Sequence, residues 1–404
     1  MERELFNACK DGKVEEVRVL LQNPQININW ENEDHYFTTP LFIACENGHL
    51  EIVKLLLNDN RVDVNKRTKD NELPLLIACK KGYIEIVNLF LNDKRIEYSD
   101  SVYLLYLACE NGLIEMVKFL LNHEKIVFKE ESYYGETPIY AACRKGHLDI
   151  VKLLLNDERI DINRPNEFEI VDDDGLNNGL TPFHFACREG HIELVKLLLN
   201  DDRADVNQGD ECNGRTPLHF AYEYVNFEIV ELLLEDQRVD IDQEDRDGET
   251  PFYVACCMGY AEFVELLLND KRGIDIDKVT NYGQTAFSIA CKNGHIEVVE
   301  YILAYGNGIN VNIKDNSGET VIDIARERIK IEEDFWENET WSQERKKENE
   351  NIIELVEAFQ TNPIEMRLQL RMEYCLAGIS LFFFQKKNVI LFSNIIGYNI
   401  ISRL

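Results

Sequence analysis

Thr39-Pro40-Leu41-Phe42-Ile43-Ala44-Cys45-Glu46-Asn47-Gly48-His49-Leu50-Glu51-Ile52-Val53-Lys54-Leu55-Leu56-Leu57-Asn58 reads as two short helices separated by a glycine. The threonine oxygen caps free N–H groups, and the proline suits a first helical turn. Ala44 and Cys45 put small side chains where neighbouring helices come close. Gly48 ends the first helix, because the chain needs a left-handed conformation there. His49 opens the second, Leu50–Leu57, whose apolar positions are too broad for an exposed helix and suit one sandwiched between neighbours. Asn58 is expected to close it by the same left-handed route. Val62, Val64 and Asn65 then lead an extended, polar loop towards the next unit.

The unit recurs. Ala8, Ala44, Ala78, Ala108, Ala142, Ala186, Ala221, Ala255, Ala290 and Ala325 stand in register, eight of them followed by cysteine, at steps of 36, 34, 30, 34, 44, 35, 34, 35 and 35 residues. A period in that range predicts an array of stacked helix pairs. Such an array holds another molecule on its surface and needs no chemistry of its own.

Thr-Pro stands at Thr39-Pro40, Thr137-Pro138, Thr181-Pro182, Thr216-Pro217 and Thr250-Pro251, and Gly-His at Gly48-His49, Gly146-His147, Gly190-His191 and Gly294-His295. Thr-Pro-x-x-x-Ala, then Gly-His, a Val-x-x-Leu-Leu helix and a Val-Asn loop together resemble the ankyrin repeat. The fuller form runs from Thr216 to Ala221, and nearly so from Thr181 to Ala186. The Asn-Asp-x-Arg-Val-Asp-Val-Asn loop is similar to those of long ankyrin arrays in protists and large viruses. The resemblance covers residues 2 to 330 and implies an all-α solenoid of about ten helix-turn-helix repeats with short β-turn fingers. A helical C-terminal extension follows. The resemblance also implies partner contacts at the finger tips and on the concave face of the first helices.

The formal charge is −31, of which the 11 basic and 13 acidic residues after Ala325 account for only −2. The array therefore repels phosphate backbones and anionic lipid, and nucleic-acid binding is not expected. The acidity either keeps a long array soluble or attracts a basic partner, an attraction that salt weakens. Of the 11 cysteines, eight fill one repeat position, and none forms a C-x-x-C pair or a zinc-spaced set. They read as small buried side chains in a reducing compartment. Met1-Glu2-Arg3-Glu4 starts no secretory signal, so a cytoplasmic, monomeric protein is expected.

His49, His147, His191 and His295 open second helices, and His184 and His219 lie beside capping threonines. Their repeat-locked positions read as structural hydrogen bonding. No Ser/His/Asp or Cys/His set, phosphate loop or metal set escapes the register, so no enzyme, cofactor or metal is expected.

The departures from the period carry the individuality. The 44-residue step inserts about ten residues at 166–178, in a finger that includes Glu167, Phe168, Asp172, Asp173 and Asp174. The alternating order of a calcium loop is absent, which leaves a solvated loop or a partner-contacting finger. The 30-residue step shortens the finger before Ala108, where a missing hairpin is expected. Val225 takes the glycine position of the seventh repeat, so that helix is expected to end differently or run on. Ile329 does the same in the tenth, which reads as a degenerate cap. Finger tips elsewhere display His35, Tyr36 and Phe37, then Tyr133 and Tyr134, Arg246 and Asp247, and Asn281 and Tyr282. Exposed aromatics among them are candidate anchors.

Residues 331–375 read as a helical extension on the last repeat, with Trp336 and Trp341 as candidate anchors, broken at Asn362-Pro363. Residues 376–404 hold no acidic residue, three basic ones and apolar runs at 379–384 and 389–392. They read as a hairpin over the array's end, a membrane-attached tail, or sequence misread past an exon boundary. No uninterrupted membrane span exists in them. The function expected is a protein-interaction adaptor. The alternative is the recognition arm of a ubiquitin ligase or effector that recruits a catalytic subunit through the extension.

Overall fold

The computed structural model describes residues 1–96, 101–124, 126, 135–166, 171–172, 175–176, 179–336 and 340–376. Among them are 21 α-helices and one pair of two-residue strands. The chain divides into two compact units, Met1–Leu232 and Leu233–Leu404.

In the first unit the helices come in pairs: α1 (Glu2–Lys10) and α2 (Val14–Leu21), α3 (Pro40–Glu46) and α4 (Leu50–Leu57), α5 (Pro74–Lys80) and α6 (Ile84–Asn92). There follow α7 (Ser101–Glu110) and α8 (Ile114–Asn122), α9 (Pro138–Arg144) and α10 (Leu148–Leu155), then α11 (Pro182–Arg188) and α12 (Ile192–Leu199). α13 (Pro217–Glu223) leads to α14 (Phe227–Glu235), in which the division falls. First helices pack on first helices, α1 on α3, α3 on α5, and so on to α11 on α13, with the Ala-Cys pairs fully buried between them. Burial pushes the Cys9 and Cys79 thiols up to about 12, so these side chains act as small hydrophobes.

The caps form as the sequence requires. Thr39 Oγ1 accepts from Phe42 N at 3.2 Å, Thr137 from Tyr140 N at 3.2 Å and Thr250 from Tyr253 N at 3.1 Å. Gly48 has φ +71°, and a Cβ there would meet the Tyr83 ring of the next repeat at 2.6 Å. The glycine is thus required twice, for handedness and for clearance.

Two expectations are corrected. Val225 does not lengthen its helix: it adopts φ +59°, and Asn226 N still bonds Ala221 O at 2.9 Å, the same closure that His49 N makes with Ala44 O. Packing on either side forces the left-handed turn on a β-branched residue. Asn58, Asn156 and Asn200 do not close their helices left-handed either, with φ of −73°, −75° and −79°. The orphan carbonyls there are met from the next repeat. Arg95, held by Asp93 through Nε (3.0 Å) and Nη2 (2.6 Å), donates to Leu57 O at 2.6 Å and Asp59 O at 3.4 Å. Arg61 reaches Leu21 O, Arg159 reaches Leu121 O and Arg203 reaches Leu155 O in the same way. In each of these four the Asp-x-Arg is a clasp on the preceding repeat.

The long finger starts and ends at one clamp. Asn166 is fully buried, its N donates to Leu180 O (3.0 Å), and its Oδ1 accepts from Leu180 N (2.7 Å). Beyond it, β1 (Val171–Asp172) pairs antiparallel with β2 (Gly175–Leu176), Asp172 opposite Gly175. The shortened finger before α7 falls on residues 97–100, outside the described residues.

In the second unit, α15 (Pro251–Met258), α16 (Ala261–Leu268), α17 (Ala286–Asn293) and α18 (Ile296–Tyr305) repeat the pattern. Arg272 clasps Leu234 O and Val239 O at 2.9 and 2.8 Å. Ile329 lies inside α19 (Val321–Trp336), which runs on through the glycine position. α20 (Thr340–Thr361) packs on α19 and α18, and α21 (Pro363–Leu376) packs on α18. α20 buries Ile352, Val356 and Phe359. The side chains of Trp336 and Trp341 lie outside the description. Arg367 donates to Gly306 O at 2.7 Å and Arg371 to Ala304 O at 2.8 Å, so α21 gives the end of α18 what a following repeat's clasp would supply.

Replacing Arg95 by alanine should lower stability by about 2 kcal/mol, the scale of charge-assisted bonds to otherwise orphaned carbonyls. Arg95→Lys should recover less than half of that, because an ammonium lacks the fork. Val225→Gly should raise stability by about 1 kcal/mol through relief of left-handed strain. Urea midpoints of the variants check all three.

Candidate partner-binding site

Each described finger is closed by one main-chain bond at its base: Asn32 N to Thr38 O, Thr68 N to Glu72 O, Asp210 N to Arg215 O, Asp245 N to Glu249 O, Thr280 N to Gln284 O and Asp315 N to Glu319 O. The side chain of the first residue accepts the tip's free N–H groups. Asp245 Oδ1 takes both Asp247 N and Glu249 N at 2.9 Å. Asn, Asp or Thr at this position is the turn chemistry that needs a short side-chain acceptor.

In the second unit the tips are also bonded to one another. Asn281 Nδ2 donates to Arg246 O at 2.8 Å, and Asn281 N donates to Asp247 O at 2.9 Å. Asn316 Nδ2 donates in turn to Asn281 O at 2.9 Å. The approach is close enough that a Cβ on Gly248 would meet Asn281 N at 2.9 Å. Arg246, Asp247, Asn281 and Tyr282 therefore form one row, in which the side chains of Arg246, Asp247 and Tyr282 are exposed while the Asn281 amide bridges two tips. Asn316 belongs to that row and was missed by the sequence reading. Its signal is an Asn two residues before a glycine, the pattern shared with Asn281-Tyr282-Gly283.

In the first unit, His35 packs on Phe6 of α1 at 5.5 Å between centroids, and Phe37 is half-buried. Tyr36 is 69% exposed. Tyr36 and Phe37 both hold positive φ, +49° and +59°, an unusual conformation for aromatic residues. Tyr133, Tyr134, Glu167, Phe168, Asp173 and Asp174 lie outside the described residues, and Asp172 is described by its backbone alone.

The charges sort by face. On three first helices, ion pairs eight residues apart tie the finger base to the helix end: Glu72–Lys80 (2.5 Å), Glu136–Arg144 (3.3 Å) and Arg215–Glu223 (2.9 Å). On the second helices of the first unit, acids pair with lysines at i,i+3, as in Glu51–Lys54 and Glu193–Lys196. In α14, α16 and α18 the lysine becomes a glutamate, leaving Glu228 with Glu231, Glu262 with Glu265 and Glu297 with Glu300. Burial raises the carboxyl pKa of Glu265 and Glu300. Unbalanced acidity thus concentrates on those second helices.

The histidines join repeats. Nε2 of His49, His147 and His295 lies 3.0, 3.3 and 2.9 Å from Lys10 O, Glu110 O and Cys257 O of the repeat before. His184 Nδ1 accepts from Thr181 N at 3.1 Å, and its Nε2 donates to Arg215 O at 2.9 Å. That partnership suits the neutral ring, and burial pulls its pKa down to about 4. Among the described residues no group of His, Cys, Asp or Glu is arranged to hold a metal ion. No helix among them is long and apolar enough to cross a membrane.

The family model described as Ankyrin repeats (3 copies) matches residues 5–101, 75–166, 164–245 and 226–315. The chain belongs to the ankyrin-repeat family. No curated protein matches it. As an ankyrin array it is a protein–protein interaction module.

His184 titrates below the unfolded value of about 6.5, so the unfolded chain binds the extra proton first. Its contribution is complete above pH 6.5 and is lost as pH falls towards 4, a change on the order of 3 kcal/mol. Ser288 fills the same capping position in another repeat. His184→Ser should therefore be less stable at pH 7 from the lost packing, yet show a flatter slope between pH 6.5 and 4. Urea denaturation across that range checks both.

Proposed function

We propose that this ankyrin array is a non-catalytic, monomeric, cytoplasmic adaptor that holds a partner protein on its finger tips and first helices, without nucleic acid or cofactor. The observation that carries the reading is the bonded row of tips in the second unit. Arg246, Asp247 and Tyr282 are held on a backbone that is already rigid, so little ordering entropy is lost when a partner docks. Tyr282, at 59% exposed, is the anchor in that row, and Tyr36 is the anchor in the first unit. Within the two groups, His35 and Phe37 support Tyr36, and Asn281 fixes the register. Tyr133, Tyr134, Glu167, Phe168, Asp172, Asp173 and Asp174 are proposed as contacts of the remaining fingers.

The acidity of α16 and α18 favours a partner with a basic surface, drawn in by long-range attraction. The first helices contribute less to that attraction, because their charges are paired. The proposed extension 331–375 supports capping over recruitment of a catalytic subunit, since Arg367, Arg371 and Tyr374 of α21 are all committed to α18.

Partners captured from cytosol and then purified should bind Tyr282→Ala about tenfold more weakly, the scale of one anchor residue. Charge reversal at the exposed Glu262 and Glu297 should slow association and flatten its salt dependence, with a small effect on dissociation. Surface plasmon resonance reads both. Unchanged binding in the tip variants and in a protein lacking residues 166–178 would remove the fingers as the contact surface.

A further inference from the structure

The outer side of α21 carries an apolar stripe. Ile364, Leu368 and Met372 stand one turn apart at i, i+4 and i+8 and are 75%, 57% and 61% exposed. The opposite side of the helix is occupied: Leu370 and Tyr374 are buried, Arg367 and Arg371 bond carbonyls at the end of α18, and the Tyr374 hydroxyl donates to Glu297 O at 3.3 Å. α21 is therefore apolar on two faces and uses one. Other exposed large apolar side chains among the described residues, such as Val19, Val225 and Val279, stand singly, which is ordinary for a protein surface. Three aligned on one helix form a contact surface.

We propose that residues 377–404 of the same chain dock on the Ile364–Leu368–Met372 stripe. Continuity argues for it: the segment leaves α21 at Leu376, and the ~18 Å back to Ile364 takes about six extended residues. The apolar run 379–384 begins three residues beyond that exit. Composition argues for it as well, since the segment holds no acidic residue and concentrates Phe, Ile and Leu in two runs. Charge is complementary too. Glu365 and Glu373 flank the stripe, while Lys386 and Lys387 separate the two apolar runs and Arg403 follows them. Docking converts α21 from a cap with one open apolar face into a closed end for the second unit. Loss of the segment uncovers an adhesive stripe.

A benzophenone photo-crosslinker placed at Leu368 of the full chain, with isotopically light and heavy protein mixed before irradiation, tests this. The expected products join position 368 to peptides of 377–404, all light–light or heavy–heavy. Mixed light–heavy products would make the occupant a second copy of the chain and overturn the proposal. Preferential crosslinking to added phospholipid vesicles would make the stripe a membrane-contact face and overturn it equally, as would no crosslink to 377–404. Leu368→Glu, at a site already exposed, leaves α18 and its contacts intact. It should speed chymotryptic cleavage at Phe382–Phe384 about tenfold while the array is cut as before; an unchanged rate would count against docking.

Discussion

The carbonyls at the end of each second helix are the constraint on which the rest of the array depends. A helix of eight or nine residues leaves its last four carbonyls without intrahelical partners, which here is about half of the helix. Placing Asn58, Asn156 and Asn200 in right-handed conformation leaves that need unmet within the repeat. The arginine of the following Asp-x-Arg meets it, pre-oriented by its own aspartate, as with Arg95 on Leu57 O and Asp59 O. The hydrogen bond with arginine holds the carboxyls of Asp59, Asp93, Asp157, Asp236 and Asp270 below their ordinary range. A repeat is thus incomplete by itself and is finished by its neighbour, the physical content of nearest-neighbour cooperativity in solenoids. In sequence the fourth repeat carries His123 and Lys125 where the others carry the aspartate and arginine, and Lys125 lies outside the described residues. After the last repeat, Arg367 and Arg371 of α21 take over.

The fingers obey a second local rule with a functional consequence. One short acceptor side chain at the base closes each hairpin and collects its N–H groups, so the chain between the two ends of the base can vary freely. Asn166 shows this best: fully buried, it holds both ends of the inserted finger, and α11 follows with its threonine cap intact. Where the intervening chain is short, successive tips come close enough to bond, as Arg246, Asn281 and Asn316 do. That bonding makes the tips a fixed surface and leaves Tyr282 free to contact something else.

Much of this was legible in the residues. Thr-Pro marked the caps, Gly-His marked the turn between helices, and the Ala-Cys ladder marked the packed side of the first helices, because each depends on a local need for an oxygen acceptor, a positive φ or a small volume. Tyr36 and Tyr282 were legible as exposed tips for the same reason. Misreadings arose where a neighbour supplied what the local sequence lacked. Val225 lacks the freedom of glycine, yet the packed helices on both sides hold it left-handed. The contact of His35 with Phe6 of the helix before is likewise invisible in the local sequence. The bridge from the Asn281 amide to Arg246 O likewise comes from the adjacent finger and has no sign in the local sequence.

By itself, the sequence determined the unit, its period, its caps and turns, and the positions where the period breaks, since these follow from chemistry within a few residues. Tertiary structure alone decided which charges are free. Glu72, Glu136 and Arg215 look like surface charge along the chain and are paired eight residues on, while Glu262 of α16 and Glu297 of α18 stand exposed. It also decided that the arginine of one repeat belongs energetically to the helix of another. Hydrogen bonds and ion pairs are settled by distance in space, and in a stacked array the nearest partner is often more than thirty residues away along the chain, as it is for Arg95 and Leu57.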